Sequence, residues 1–166
     1  MKNNKKILIL FGIIVLFVFV GVGVLKSNKG SNNQAGASQF IEKTKLTVYK
    51  SPSCGCCVNY VAYLRREGFD VEVIEVSNKE MADTKQLHGV PGNMSSCHTA
   101  VMGDYVVEGH IPAKAITKLA SERPAIRGIA MPGMPAGSPG MPGTKNGSFS
   151  IYGIDDSGNT SLFIGL

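Results

Sequence analysis

Three cysteines within four consecutive positions, Cys54-Gly55-Cys56-Cys57, constrain this chain more than any other feature. They sit where one periodicity gives way to another. Lys45 to Tyr49 alternates and is β-branched, which predicts a strand. Val58 to Glu67 places Val58, Val61, Ala62 and Leu64 at helical spacing, with Gly68 as a stop. The segment between them, from Ser51-Pro52-Ser53 into the cysteines, predicts a turn. Thiols at such a junction lie at the positive end of the following helix, where the thiolate is favoured.

The pattern continues in the same style. Phe69 to Val76 alternates as a second strand, and Ser77 with Glu80 has capping-box spacing for a short helix ending at Gly89. Thr99 to Met102 and Tyr105 to Glu108 predict a hairpin about Gly103-Asp104. Pro112 suits the first turn of a helix through Leu119. The order β-α-β-α-β-β-α is that of the thioredoxin/glutaredoxin fold. In that fold the cysteines belong between the first strand and the first helix, and a proline such as Pro91 lies beside them. Residues 45–123 therefore read as a thioredoxin-like domain. Residues 124–166 exceed it as a C-terminal extension, with a Met/Pro/Gly-rich run from Met131 to Gly143. A further β-hairpin is predicted there from Phe149 to Ile154 and Ser161 to Ile164.

Ahead of the domain, Ile7 to Leu25 is a run of 19 residues without a charge. At about 1.5 Å of rise per residue it spans about 28 Å, close to the roughly 30 Å hydrocarbon core of a bilayer. A cleaved signal usually has a shorter apolar stretch, about 7–15 residues. Residues 1–25 read as a retained signal anchor or transmembrane helix, the alternative being a cleaved signal. Lys2, Lys5 and Lys6 favour a cytoplasmic N-terminus. Residues 26–44, rich in Ser, Asn and Gly, read as a flexible tether. Either export reading puts the body outside the cytoplasm. The net charge of +5 comes from Lys2, Lys5, Lys6, Lys26 and Lys29, because the other 12 of the 17 cationic residues balance the 12 acids. The body has no basic stripe, which excludes nucleic acid as a leading partner.

All four cysteines, Cys54, Cys56, Cys57 and Cys97, lie in the exported body. Two structural disulfides would strain the adjacent Cys56 and Cys57 in one tight turn. A dithiol oxidoreductase could use Cys54 and Cys57 as a C-x-x-C pair, but Cys56 would divert its mixed disulfide. A soft-metal site uses all of them. The hairpin supplies further donors, because pairing Met102 with Tyr105 sets Cys97 across from His110 on a shared face. His98 faces the other way in a regular strand and turns inward only if the chain before Thr99 is irregular. His88 reads as an ordinary surface or partly buried histidine. Zinc would accept four cysteines, or three cysteines and a histidine. Cu(I) favours thiolate and thioether. Met131, Met134 and Met141 lie in a run with almost nothing else apolar, which tips the reading toward copper. Met134 and Met141 are the leading candidates among them.

The runs YKSPSCGCC, VPGNMSSCHTAVMGDYVVEGHIP and GIAMPGMPAGSPGMPG closely resemble the CopG-type copper-resistance proteins over about residues 45–154. The resemblance implies a periplasmic thioredoxin-like domain with a C-terminal extension, copper held at the cysteines, and redox chemistry between Cu(I) and Cu(II). Carried onto this sequence, its motifs fall on Cys54, Cys56, Cys57, Cys97 and His98. Four thiolates in one pocket can bridge more than one Cu(I), so a polynuclear site is open. The expected partners are copper ions, copper-efflux or other periplasmic copper-handling proteins, and the inner membrane through the N-terminal helix. A thiol–disulfide oxidoreductase and a zinc-stabilised interaction module are the competing expectations.

Overall fold

A computed structural model describes residues 44–166. The expected signal anchor and, apart from Thr44, the expected tether lie outside the described residues. Among the described residues no helix is long and apolar enough to cross a membrane.

The chain forms β1 (Lys45–Lys50), α1 (Gly55–Arg66), β2 (Asp70–Glu75), α2 (Asn78–Leu87) and a short 3-10 turn (Gly92–Met94). It continues through β3 (His98–Met102), β4 (Tyr105–Glu108), α3 (Ala113–Glu122), β5 (Gly128–Ala130), β6 (Ser150–Ile154) and β7 (Thr160–Gly165). All strands join one sheet in the order β2-β1-β3-β4-β5-β6-β7. The pairs β1–β2 and β4–β5 are parallel, each bridged by a helix, and the remaining neighbours are antiparallel. The α/β core has the expected glutaredoxin-like order.

Alternation decides which side chains enter the core. Leu46 and Val48 of β1 are fully buried, as is Ala100 of β3, on the face covered by α1 and α3. Tyr60, Val61 and Leu64 of α1 and Ile116 and Leu119 of α3 complete that core. The neighbouring Thr99 points to the opposite face, where Met81 of α2 receives it. The two core helices are tied at their ends, since the Tyr60 hydroxyl donates to the Ile111 carbonyl at 2.9 Å. The Ala113 amide donates to the Tyr63 hydroxyl, also at 2.9 Å.

Most local signals hold. The capping box of Ser77 and Glu80 is formed in both directions, and Met102 pairs with Tyr105 across the Gly103 turn. Three details differ. α1 starts at Gly55 with Cys54 as its cap, because the Val58 amide already bonds the Cys54 carbonyl at 3.3 Å. Cys56 and Cys57 are therefore in the first helical turn and not in the loop before it. Pro112 caps α3 from outside, with extended φ/ψ of −61° and 141°. Pro91 caps the 3-10 turn, and the described peptide bonds are all trans.

The extension is the larger surprise. Gly128–Ala130 forms β5, a strand without sequence signal, and through it the predicted C-terminal hairpin continues the main sheet. Gly128 is required there, since a Cβ would lie 2.5 Å from the Val106 side chain and against its backbone.

Candidate metal centre

The cysteines gather where β1 hands over to α1. Cys54 caps the helix, Cys56 and Cys57 occupy its first turn, and Cys97 enters from the residue just before β3. The Cys56 sulfur lies 3.5 Å from that of Cys54 and 3.8 Å from that of Cys97, and Cys57 and Cys97 are 3.5 Å apart. All four ligand atoms fall within 4.8 Å of one another. Cys54 and Cys57 are joined as a disulfide, and Cys56 and Cys97 are free. The bonded pair is the one that the C-x-x-C reading selects.

Both candidate histidines reach Cys97. His110 Nε2 is 3.2 Å and His98 Nδ1 is 3.4 Å from its sulfur, and the three form a second possible ligand group. The expectation for His110 holds, but the route is not a continuous strand. Glu108 is the last residue of β4 and faces α2. Gly109 then takes φ +83° and swings His110 over to the α1 side. β3 begins at His98 and not at Cys97, so His98 shares the α1 face with Ala100 by ordinary alternation, and it is Cys97, ahead of the strand, that departs from the pattern and lets both meet. Its ring lies 4.6 Å from that of Tyr60 and 4.9 Å from that of His110.

The extension orients one of these rings. His110 Nδ1 donates to the Pro139 carbonyl at 2.7 Å, which leaves the Nε2 lone pair facing Cys97. The Pro139-Gly140-Met141 segment can pass this close only because residue 140 is glycine. A Cβ there would come within 2.6 Å of the Tyr60 amide nitrogen and 2.9 Å of the Cys56 carbonyl. Sequence reading missed Tyr60 and Pro139, since no local pattern shows that a loop 29 residues downstream supplies a carbonyl to His110.

Electrostatics keep Cys97 and both imidazoles neutral before anything binds. Burial, reinforced by the nearby Cys56, pushes the Cys97 thiol up to about 12. Burial is also the main cause holding His98 down at about 3, with His110 and Lys85 adding repulsion. His110 is lowered by burial against the opposing pull of the Pro139 carbonyl. Both imidazoles are thus neutral at neutral pH and have lone pairs to offer, while Cys97 must lose a proton to bind a metal.

This donor set fits a soft cation. Two sulfurs about 2.3 Å from one ion at tetrahedral angles stand about 3.8 Å apart, close to the separations seen here. Thiolate and imidazole suit copper and zinc alike. The methionines separate into three cases. Met131 is buried in the main core, which corrects the expectation that this run is too poor in apolar residues to build core. Met134 is 38% exposed on a left-handed turn, φ +46°. Met141 lines a groove of about 620 Å³ together with Cys56, Tyr63 and Arg66. The structure therefore brings Met141, and not Met134, to the cysteine end. His88 caps the end of α2, partly buried, as expected.

Comparison with known proteins gives a consistent picture. The family described as a protein of unknown function, DUF411, matches residues 94–141, and the glutaredoxin family matches residues 46–91. No curated protein sequence matches. A solved structure titled copper resistance protein CopG, form 2, is 39% identical at a TM-score of 0.67, covering 74% of this chain and 98% of that one. Form 1 of the same protein is 38% identical at 0.67, covering 74% and 96%.

Proposed function

This chain belongs to the CopG copper-resistance family, and from that premise we propose that it captures copper outside the cytoplasm and holds it at the sulfur cluster. Copper is cargo. Cys56 and Cys97 are thiolate donors in either redox state, Cys54 and Cys57 join them when their disulfide is reduced, His110 and His98 are the imidazole donors, and Met141 is a thioether at the open side. The observation that carries this reading is the convergence of four sulfurs and two neutral imidazoles on Cys97. In the reduced state, four thiolates in that space can bridge more than one Cu(I). The resident disulfide supports a redox role as well. Two Cu(II) ions each accept one electron, the Cys54 and Cys57 thiols supply both electrons and release two protons, and the S–S bond closes.

Residues 1–25 anchor this body to the inner membrane in our reading, with residues 26–44 as the tether. A protease added from the periplasmic side of spheroplasts should release the body. A body protected from that protease would reverse the orientation.

The test of the metal reading is metal analysis of the full-length protein purified from copper-exposed cells. Copper should be present at one equivalent or more, and Cys56→Ser should lose most of it. Zinc in place of copper would favour the zinc-stabilised module. Retention of copper by Cys56→Ser would remove the cluster's main support. The disulfide also favours a second reading, plain thiol–disulfide exchange by Cys54 and Cys57. That reading predicts insulin reduction that does not depend on Cys56.

A further inference from the structure

Behind the metal-facing side of β3 and β4 lies a buried charged network that the copper chemistry does not use. The Glu108 side chain is fully buried. One carboxylate oxygen accepts the Ser96 backbone amide at 2.6 Å and pairs with the ammonium of Lys85, and the other accepts the Thr99 hydroxyl at 2.7 Å. Lys85 reaches in from α2, with its side chain only 13% exposed, and also donates to Thr99 at 3.0 Å. A buried ion pair is weak evidence for stability in itself, because desolvating both charges offsets most of their attraction. What sets this one apart is the third bond, to the backbone of the residue immediately before Cys97.

Three consecutive residues at the end of β4 act on that same short segment. Glu108 grips the Ser96 amide. Gly109 makes room for the Ser96 side chain, since a Cβ at Gly109 would lie 3.0 Å from Ser96 Cβ and Oγ and 2.7 Å from the Met131 carbonyl. His110 then meets the Cys97 sulfur at 3.2 Å. Residues 95–97 lie between the 3-10 turn and β3 and have few bonds of their own. The Ser95 amide bonds Gly92 at 3.3 Å, and the Ser96 amide has Glu108. A cysteine on such a segment keeps its sulfur near three others only if the backbone before it is held.

We propose that Glu108 is a positioning residue for the metal centre, clamping the Ser96 amide so that the Cys97 sulfur stays in register with the α1 cysteines and both histidines. Lys85 is its charge partner, which makes a charged carboxylate tolerable at full burial. The proposal rests on Cys97 being a ligand, but the clamp itself is testable without metal.

Removing Glu108 alone strands the Lys85 charge, so the informative comparison uses two double variants that carry neither charge. Lys85→Met/Glu108→Gln keeps an oxygen for the Ser96 amide and an amide group to donate to Thr99. Lys85→Met/Glu108→Ala keeps neither. In full-length, metal-free protein, the iodoacetamide labelling rate of Cys97 is read against that of Cys56 as an internal reference. The alanine variant should raise the Cys97-to-Cys56 ratio about tenfold over wild type, the equivalent of about 1.4 kcal/mol, and the glutamine variant should stay close to wild type. General loosening moves both cysteines and leaves the ratio unchanged, which would overturn the clamp. Cu(I) affinity, read by competition with a chelator, should fall in the same order. If wild type binds no copper, the copper reading fails while the labelling result still decides the clamp. Should the alanine variant not fold, hydrogen exchange in the wild type decides. The Ser96 amide should be protected like the amides of β3, and exchange at the rate of an open loop would overturn the proposal.

Discussion

The two faces of β3 and β4 bury polar groups in opposite ways. On the α2 face Glu108, Lys85 and Thr99 are all hydrogen-bonded to one another, with opposite charges paired. On the α1 face the groups are left incomplete. Cys97 has its thiol pushed up to about 12, His98 is held near 3, and His98 Nε2 is buried without a hydrogen-bond partner among the described residues. A closed set of charges has no use for an incoming cation. Neutral donors with spare lone pairs, at hydrogen-bond distance from one another, are a site waiting for one. The contrast teaches that burial of polar groups does not mark function by itself; the missing counter-charge does.

Four tests break or sharpen this contrast, the strongest first. Lys85→Met should cost about 3–5 kcal/mol in denaturant unfolding, as expected when one partner of a buried pair is removed. The copper content of the protein that remains folded should not change. A loss below about 1 kcal/mol would place the pair with ordinary surface ion pairs.

Acid should act on the other face. With His98 near 3 in the fold and 6.5 as its ordinary value, the two states bind protons equally above about pH 6.5. Below that the unfolded chain takes up a proton that the folded chain refuses. Stability of the metal-free protein should therefore fall as pH drops from 6.5 toward 3, by about 1.4 kcal/mol per unit once fully developed. His98→Phe should flatten this part of the profile. An equal slope in the variant would assign the effect to other groups.

The strap comes next. Gly140 has φ +80° and lies against the backbone of α1, so Gly140→Ala should cost about 1–3 kcal/mol as an overpacking change. It should also pull Pro139 away from His110, and the freed Nδ1 should show in the imidazole NMR tautomer pattern. A variant with an unchanged pattern would show that the strap is not what fixes the ring. Smallest is Met141→Leu, which roughly conserves volume and should cost under about 1.5 kcal/mol. Cu(I) affinity should weaken severalfold, while Met134→Leu should leave it unchanged. Equal effects from the two would remove Met141 from the site.

The alternating runs at Lys45 to Tyr49 and Phe69 to Val76 were legible because strands and helices impose different periods on the sequence. So were the capping box at Ser77 and Glu80 and the Gly103-Asp104 turn. Pairing Met102 with Tyr105 even put Cys97 near His110. These features depend on neighbours a few residues away, and short-range chemistry writes them directly into residue type.

Other decisions needed the closed sheet. β5 is a three-residue strand whose only qualification is its position between β4 and β6. Met131 became core because the extension folded back onto the same sheet as the domain it follows. The side to which His98 and His110 turn was set by one left-handed glycine and by where β3 begins. Glu108 is one more acid in an alternating strand until Lys85, 23 positions earlier, is placed against it. Sequence by itself determined the elements and the supply of sulfur, because those rest on local bonding. Only the tertiary structure decided which buried groups found partners and which were left open, because that depends on contacts between residues far apart in the chain, and these exist only once the sheet has closed.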